Sequence, residues 1–264
     1  MFYISKIFIF GEAPNIVNID QLLVLKKIIL FFAAALLTMA AKAQSGYNYQ
    51  EWGVGAGAFY ERGYTNITQQ NNYIGFNANL IYNYNPYIPV EFEVQKGTLS
   101  GGGLTPNLDP FGREYTNNYV AAIAHFDFQL GAGIDYSDSW FLNIAKDFYL
   151  GTGIGLISNS NKVQRYSIYD PTYKFPGVDN SIDLMIPFRV GYEFKIYNDY
   201  NEPSWAIDVG YIHNVAFGEG LDGYDDPSSK FKNNALDQYR QITVMVKWYF
   251  GNVTSYTKLI RNFN

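Results

Sequence analysis

The 264-residue sequence contains no cysteine. A disulfide framework, a thiolate metal site and a lipid anchor on an N-terminal cysteine are therefore excluded. Charged residues make up only 16% of the chain, and the formal net charge is −5. This charge argues against a nucleic-acid-binding surface, because binding to phosphates requires clustered lysine and arginine. We expect no nucleic-acid partner.

Long apolar runs are missing after the first 43 residues. Near the N-terminus, Lys26 and Lys27 precede the apolar run 28–39, and the small residues Ala41 and Ala43 follow it. This order is typical of an export signal, so we expect residues 1–43 to be removed by cleavage after Ala43. The run is shorter than a transmembrane helix requires. The mature chain can therefore cross a membrane only with strands, which satisfy their backbone groups in lipid when they close into a barrel.

The sequence is rich in tyrosine (24), phenylalanine (20) and glycine (24). Aromatic residues are typical of sheets at a membrane interface, and glycines let such sheets bend. The segment Tyr239–Phe250 alternates apolar and polar positions, which predicts a strand with one apolar face. An amphipathic strand of a soluble sandwich would alternate in the same way. The aromatic end favours a barrel strand with Trp248, Tyr249 and Phe250 in the interface girdle.

The same alternation recurs in seven earlier segments, so eight strands are predicted. They are Trp52–Tyr60, Asn72–Tyr84, Ile88–Lys96, Tyr119–Gly131, Phe148–Ile157, Ser181–Lys195, Trp205–His213 and Tyr239–Phe250. Long loops mostly follow the odd-numbered strands, and short links follow the second and sixth, as in outer-membrane barrels with long extracellular loops. The link after the fourth strand is the exception. The predicted fold is all-β, an eight-stranded antiparallel up-and-down transmembrane β-barrel in the cell outer membrane. It covers residues 44–250, and residues 251–264 form a periplasmic tail.

Glycine occupies several inward positions of the first and fifth predicted strands. These glycines are Gly53, Gly55, Gly57, Gly151, Gly153 and Gly155. Glycines at such positions leave room for bulky side chains across a narrow lumen or allow tight curvature.

The inward positions also carry a set of ionisable residues. The set is Glu91, Glu93, His125, Asp127, Arg189, Glu193, Lys195, Asp208 and Lys247. A barrel this narrow is filled by its own side chains, and buried charges there must pair. We predict a lumen network of salt bridges and hydrogen bonds. A narrow or gated polar pathway is the alternative.

Four stretches resemble the small outer-membrane β-barrel family common in Bacteroidetes, which is distantly similar to the OmpA transmembrane domain and OmpX. They read YNYNPYIPVEFEVQKGTLSGG, DFYLGTGIGLI, IPFRVGYEFKI and VKWYFG. The resemblance implies a fold rather than an activity. It also implies an assembly signal in the last strand, at Val244, Val246, Trp248 and Phe250, with the barrel-assembly machinery and outer-membrane lipid as partners. No peptidoglycan-binding domain follows the barrel here, so an OmpA-like tether to the cell wall is not expected.

The histidines do not support catalysis. Asp127 stands where a lipid A deacylase motif after His125 would have serine, and His213 has no nucleophile beside it in the sequence. The loop residues Asp222, Asp225 and Asp226 lack the spacing of a calcium loop. We therefore expect no enzyme, no cofactor and no metal site.

The predicted function is that of a structural or interaction protein which acts through its long extracellular loops. One candidate role is an accessory subunit of a larger outer-membrane protein complex. A small gated, porin-like channel is the first alternative, and a lipid-modifying outer-membrane enzyme is the second.

Overall fold

The computed structural model describes residues 48–136, 139–225, 227 and 236–256. The predicted export signal and its cleavage point lie outside these residues. Eight antiparallel strands follow one another around a closed barrel, and the last strand returns to pair with the first. The strands are β1 Asn48–Tyr64, β2 Asn72–Asn85, β3 Ile88–Gly102, β4 Glu114–Gln129, β5 Phe148–Val163, β6 Asn180–Tyr197, β7 Pro203–Phe217 and β8 Gln238–Ser255. The predicted fold class is confirmed.

Several strands are longer than their alternating segments. β3 continues past Lys96 to Gly102, β4 begins at Glu114 rather than Tyr119, and β5 continues to Val163. Apolar alternation is needed only where one face meets lipid, whereas the backbone ladder continues beyond it. The sequence pattern therefore marks the membrane-facing part of each strand and misses its extracellular extension.

β8 also extends past the predicted boundary of the tail. Its residues up to Ser255 pair with the beginning of β1, where Asn48 is the Cα partner of Ser255. The register shifts between Gln50 and Trp52, and Gly251 has a φ of 101°. A left-handed glycine at an irregularity lets the ladder continue, so the barrel sheet ends later than Phe250.

Large apolar side chains cover the outside of the barrel. They include Val54, Leu80, Phe92, Val94, Val120, Phe126, Leu150, Ile154, Ile182, Phe188, Ile242, Val244 and Val246, all of them exposed. Towards the periplasmic end, the Trp52 ring lies 5.1 Å from the Tyr82 ring, and the Trp205 ring lies 6.1 Å from the Trp248 ring. An apolar band with an aromatic edge is the surface that a barrel presents to lipid.

The inward glycines accommodate large side chains, as predicted. A Cβ atom on Gly53 would lie 2.7 Å from Cδ1 of Tyr249, and one on Gly55 would lie 2.8 Å from Sδ of Met245. Tyr249 is therefore buried inside the barrel, and its predicted place in the exterior girdle is wrong. The reason is strand parity, because the neighbouring Trp248 occupies the outward position.

The long link between β4 and β5 begins with a 3₁₀ turn at Leu130–Ala132, where the predicted fourth strand had continued to Gly131. It then forms a single short helix, α1 (Trp140–Ala145), which Ser139 caps by accepting a hydrogen bond from the Leu142 N–H. No helix in the described part of the chain is long and apolar enough to cross a membrane.

Candidate functional site

Lys247 is the centre of the charged lumen network. Its Nζ lies 2.6 Å from Oε1 of Glu91, 3.1 Å from Oε2 of Glu193 and 2.9 Å from Oδ2 of Asp208. These four buried residues lie on β8, β3, β6 and β7. One ammonium group therefore links strands on opposite sides of the lumen and is shared by three buried carboxylates.

Arg189 forms the second centre of the network. Its Nη1 lies 3.1 Å from Oε2 of Glu93, and its Nε lies 3.1 Å from Oδ1 of Asp127. The His125 ring lies between the same carboxylates, with Nε2 at 3.2 Å from Glu93 and Nδ1 at 3.7 Å from Asp127. All four side chains are buried, so this centre has no exposed group with which to meet a substrate.

Lys195 closes the periplasmic end of the lumen. Its Nζ lies 3.0 Å from Oδ1 of Asp147 and donates hydrogen bonds to Oε1 of Gln129 and to the Pro86 carbonyl. It also lies 3.9 Å from Glu193, which connects it to the Lys247 centre. The structure thus places all nine predicted lumen residues inside the barrel and brings them into three connected groups.

The network also includes asparagine and tyrosine side chains, which the nine predicted lumen residues do not contain. The Nδ2 atoms of Asn77 and Asn79 donate to Glu93 (2.7 Å) and Glu91 (2.6 Å). The hydroxyl groups of Tyr149 and Tyr249 donate to Asp208 and Glu193, at 2.9 Å each. The alternation along β2 would have identified the two asparagines as lumen residues, because they occupy the inward positions between outward apolar residues. These donors bind the carboxylate oxygens that Lys247 and Arg189 do not contact.

Tyrosines and apolar side chains, together with the buried Glu61, fill the extracellular half of the lumen. The Tyr119 hydroxyl donates to Glu61, and its ring lies 5.5 Å from that of Tyr239. The surrounding buried cluster includes Leu99, Tyr115, Ile123, Ile157 and Met185. At the opposite end, a cavity of about 10 Å³ borders Lys195, Tyr249 and Gln129. Such a space holds about one water molecule. The buried cluster and the charged network fill the described lumen on the other side of it.

The described parts of the four extracellular loops fold over the barrel mouth as one unit, which we call the loop cap (residues 65–71, 103–113, 164–179, 218–225, 227 and 236–237). Arg113 pairs with Asp109 through an Nη2–Oδ1 contact of 3.0 Å and donates to the Asn66 carbonyl at 3.2 Å. Arg113 and Asp109 are both buried. The second loop is therefore tied to the first by a hydrogen bond from Arg113, and a desolvated ion pair within the second loop holds this arginine in place.

Arg165 and Tyr224 join the third loop to the fourth. Arg165 pairs with Asp179 at 2.6 Å and donates to the Gly223 carbonyl at 2.7 Å. The Tyr224 hydroxyl lies within 3.0 Å of the carbonyl oxygens of Glu114 and Gln164. Hydrogen bonds thus join the described loops to one another, and ion pairs within the second and third loops hold the arginines that donate them, which makes the cap a folded surface.

Asp237 lies buried under the fourth loop, where one carboxyl oxygen accepts from the Leu221 N–H at 3.2 Å. Burial, together with the carboxylates of Asp222, Glu219 and Asp183, raises the pKa of Asp237 well above its usual range. The proton is therefore held more tightly in the folded cap than in the unfolded chain. This stabilisation is complete below the unfolded pKa of about 4 and is lost as the pH rises through the folded pKa.

We expect Asp237→Asn to protect the cap at high pH. Amide hydrogen exchange at Leu221 measures this, because its N–H is bonded to Asp237. In the unsubstituted protein, the protection factor is expected to fall by up to about tenfold per pH unit within the titration window. The variant is expected to keep more protection at pH 8 and to match the unsubstituted protein near pH 4. Asp225→Asn, at an exposed position of the same loop, is the control. If the protection factor at Leu221 showed the same pH dependence in all three proteins, Asp237 would not be the group that controls the stability of the cap.

The proposed assembly-signal residues lie on the outer face of β8. Val244, Val246 and Trp248 are exposed, and Phe250 is half-buried with its ring 5.1 Å from that of Trp248. The row pairs with β1 on one side and β7 on the other. Its role as an assembly signal stays a prediction.

His213 lies on the outer face of β7, apart from the lumen network. Its Nε2 lies 2.8 Å from Oε1 of Gln238. His125 lies inside the barrel. The two histidines therefore occupy different environments and do not form a common site.

The closed barrel, its apolar exterior and its polar interior define an integral outer-membrane β-barrel. No protein-family model matches the sequence, and no curated protein matches it. Solved structures are similar to it. Ail, the attachment invasion locus protein of Yersinia pestis, solved with the heparin analogue sucrose octasulfate, is 14% identical, with a TM-score of 0.43 over 76% of this chain and 99% of Ail.

Two further structures show a comparable likeness. Neisserial surface protein A is 13% identical, with a TM-score of 0.40 over 75% of this chain and 97% of that protein. The outer membrane protein OprG from Pseudomonas aeruginosa is 8% identical, with a TM-score of 0.34 over 79% of this chain and 100% of OprG.

Proposed function

We propose that this protein is a non-enzymatic outer-membrane barrel that presents its loop cap to another protein of the cell envelope. In this role it serves as an accessory subunit of a larger outer-membrane complex. Membership of the Bacteroidetes-type small barrels is part of the proposal and is supported by the four sequence stretches that resemble them.

The observation that carries the proposal is an exposed apolar patch on the loop cap. The cap patch consists of Phe111, Tyr166, Ile168 and Tyr169, which are all exposed. A Cβ atom on Gly112 would lie 2.6 Å from Cγ1 of Ile168, so the second and third loops meet at this patch. Exposed apolar patches rimmed by polar residues are typical of protein–protein interaction sites, and aromatic residues are enriched in such sites.

The third loop holds its side of the patch in a defined shape. Tyr166 forms an isolated β-bridge with Lys174, and the Ser167 N–H donates to the Tyr173 carbonyl at 3.0 Å. The loop is therefore a small hairpin that carries Ile168 and Tyr169 near its turn. An ordered aromatic surface loses little conformational entropy on binding, which favours recognition.

The packed lumen supports an interaction role over conduction. Lys247 and Arg189 bind carboxylates from several strands across the barrel. Tyr119 and Tyr239 lie in the extracellular half of the lumen. A current would require these buried groups to separate, which leaves charges uncompensated. The positions of the histidines support the non-enzymatic part of the proposal, because His125 is buried inside the lumen and His213 lies apart from it on the outer face.

We expect the tagged mature protein, purified in mild detergent from its native outer membrane, to carry a stoichiometric protein partner. The variant Phe111→Ser/Tyr169→Ser is expected to co-purify with about one tenth of this amount of partner protein or less, because it removes two aromatic anchors of the patch. Tyr200→Ser is a matched control, since Tyr200 is an exposed tyrosine in the periplasmic link between β6 and β7.

Recovery of the barrel alone, from the unsubstituted protein and both variants, would contradict the subunit role. A steady current through the purified protein in a planar bilayer would instead favour the gated channel. A change in lipid A composition that depends on His213 would favour the enzyme.

A further inference from the structure

Two arginines of like charge face each other on the outside of the barrel, where β1 closes onto β8. Arg62 and Arg240 are Cα partners across this seam. Each lies two residues from an exposed apolar residue of its own strand, Tyr60 or Ile242, so both point outward. Like charges directly opposite each other destabilise a sheet. Barrel stability therefore does not account for the pair.

The basic surface continues onto β7. His213 is the Cα partner of Arg240, and its ring centroid lies 6.4 Å from that of Tyr64. Cζ of Arg240 lies 5.5 Å from the Tyr64 ring centroid. We call Arg62, Arg240 and His213 the arginine row. It spans three adjacent strands beside an aromatic ring that supports the guanidinium group.

No acidic side chain in the described part of the chain forms a salt bridge with either guanidinium group of this row. Nε of Arg62 is buried and has no hydrogen-bond partner there. The adjacent Glu61 carboxylate points into the lumen instead, where it accepts from the Thr98 N–H at 2.7 Å. The row therefore carries uncompensated positive charge and an unused donor.

The depth of the row in the membrane follows from β8. Trp248 marks the periplasmic girdle on this strand. The step from Trp248 to Arg240 covers roughly 20 Å along the barrel axis, at about 3.4 Å per residue and a strand tilt of about 40°. The apolar band of such barrels is about 25 Å tall. The backbone of the arginine row thus lies about 5 Å inside the extracellular edge of the band, a distance that an arginine side chain spans to reach the lipid headgroups.

We propose that Arg62 and Arg240 bind the phosphate of an outer-leaflet lipid headgroup, with His213 at the border of the site. Guanidinium groups bind phosphate oxygens with two parallel hydrogen bonds, and the anion offsets the repulsion between the two arginines. A bound headgroup would therefore also strengthen the β1–β8 seam, where the barrel closes. This inference is independent of the partner that the cap patch binds.

The test is thermal unfolding of the detergent-solubilised mature protein with diphosphorylated lipid A, dephosphorylated lipid A or inorganic phosphate. We expect diphosphorylated lipid A to raise the unfolding midpoint and dephosphorylated lipid A to have little effect. Arg62→Gln/Arg240→Gln is expected to weaken the response to diphosphorylated lipid A by at least about tenfold in half-saturating concentration. Lys162→Gln is the matched control, because Lys162 is exposed on β5, across the barrel from the seam.

The double variant provides its own check on folding. Without lipid A it is expected to unfold at the same temperature as the unsubstituted protein or higher, because it removes a like-charge pair. An equal response of both proteins to diphosphorylated lipid A would overturn the proposal. So would a response to inorganic phosphate as large as the response to the lipid, since a free anion would then be the ligand.

Discussion

The variant Lys247→Met is expected to lose most of the stability of the barrel. Its Nζ is the cation shared by Glu91, Glu193 and Asp208, and all four side chains are buried. Removing one partner of a buried ion pair costs about 3–5 kcal/mol, because the remaining charge is left uncompensated. Here three carboxylates lose their common cation, so we expect a loss at the upper end of this range or beyond it.

Urea unfolding of the mature protein in lipid vesicles measures this loss. The folded fraction is measured from the electrophoretic mobility of unheated samples, in which the folded barrel and the unfolded chain migrate differently. Lys162→Met serves as the control, since it removes an exposed lysine from the outside of β5. The combined variant Lys247→Met/Glu91→Gln/Asp208→Asn is expected to recover part of the stability, because it removes two of the orphaned charges. An unfolding midpoint for Lys247→Met equal to that of the control would show that the lumen network is not required for folding.

The variant Gly75→Val is expected to destabilise the barrel by about 1–3 kcal/mol through overpacking. A Cβ atom at this position would lie 2.3 Å from Cε2 of Phe59 and 2.8 Å from the backbone oxygen of Lys96. Phe59 is the Cα partner of Gly75 across the β1–β2 pair and is buried. The backbone on one side and the enclosed ring on the other leave the new side chain no room.

A double-mutant cycle with Phe59→Ala separates this clash from a general effect on the strand. The double variant is expected to be more stable than the sum of the two single losses, because the smaller side chain at position 59 frees the space that valine needs. Gly133→Ala is the control, since its Cβ would have no neighbour closer than 3.8 Å. Additive losses in the same urea assay would exclude a direct clash between positions 59 and 75.

The lumen and the loop cap have connected roles in this fold. The cap contains its own ion pairs at Arg113 and Arg165, and its fourth loop is held from below by Asn117 and Asn161, which donate to the carbonyls of Leu221 and Gly220. These asparagines are inward residues of β4 and β5. The polar interior therefore continues into the cap and supports the surface on which the proposed interaction depends.

The sequence by itself determined the fold class and many of the inward side chains. Strand alternation has a period of two residues and is local, so it can be read without knowing which strands are neighbours. The nine ionisable residues that it assigns to the lumen lie inside the barrel. It failed where no lipid-facing pattern exists, as in the extension of β3 to Gly102 and the continuation of β8 to Ser255.

The tertiary structure alone decided which of these residues meet. Lys247 and Glu91 are 156 positions apart in the chain, and their contact depends on the register and tilt with which eight strands close. The same closure makes Arg62 and Arg240 neighbours, although each reads in the sequence as an isolated surface charge. The loop cap is likewise a product of contacts between distant segments, such as Tyr224 with Glu114. Periodicity records the environment of a residue, whereas pairing across a barrel is set by the geometry of the whole sheet.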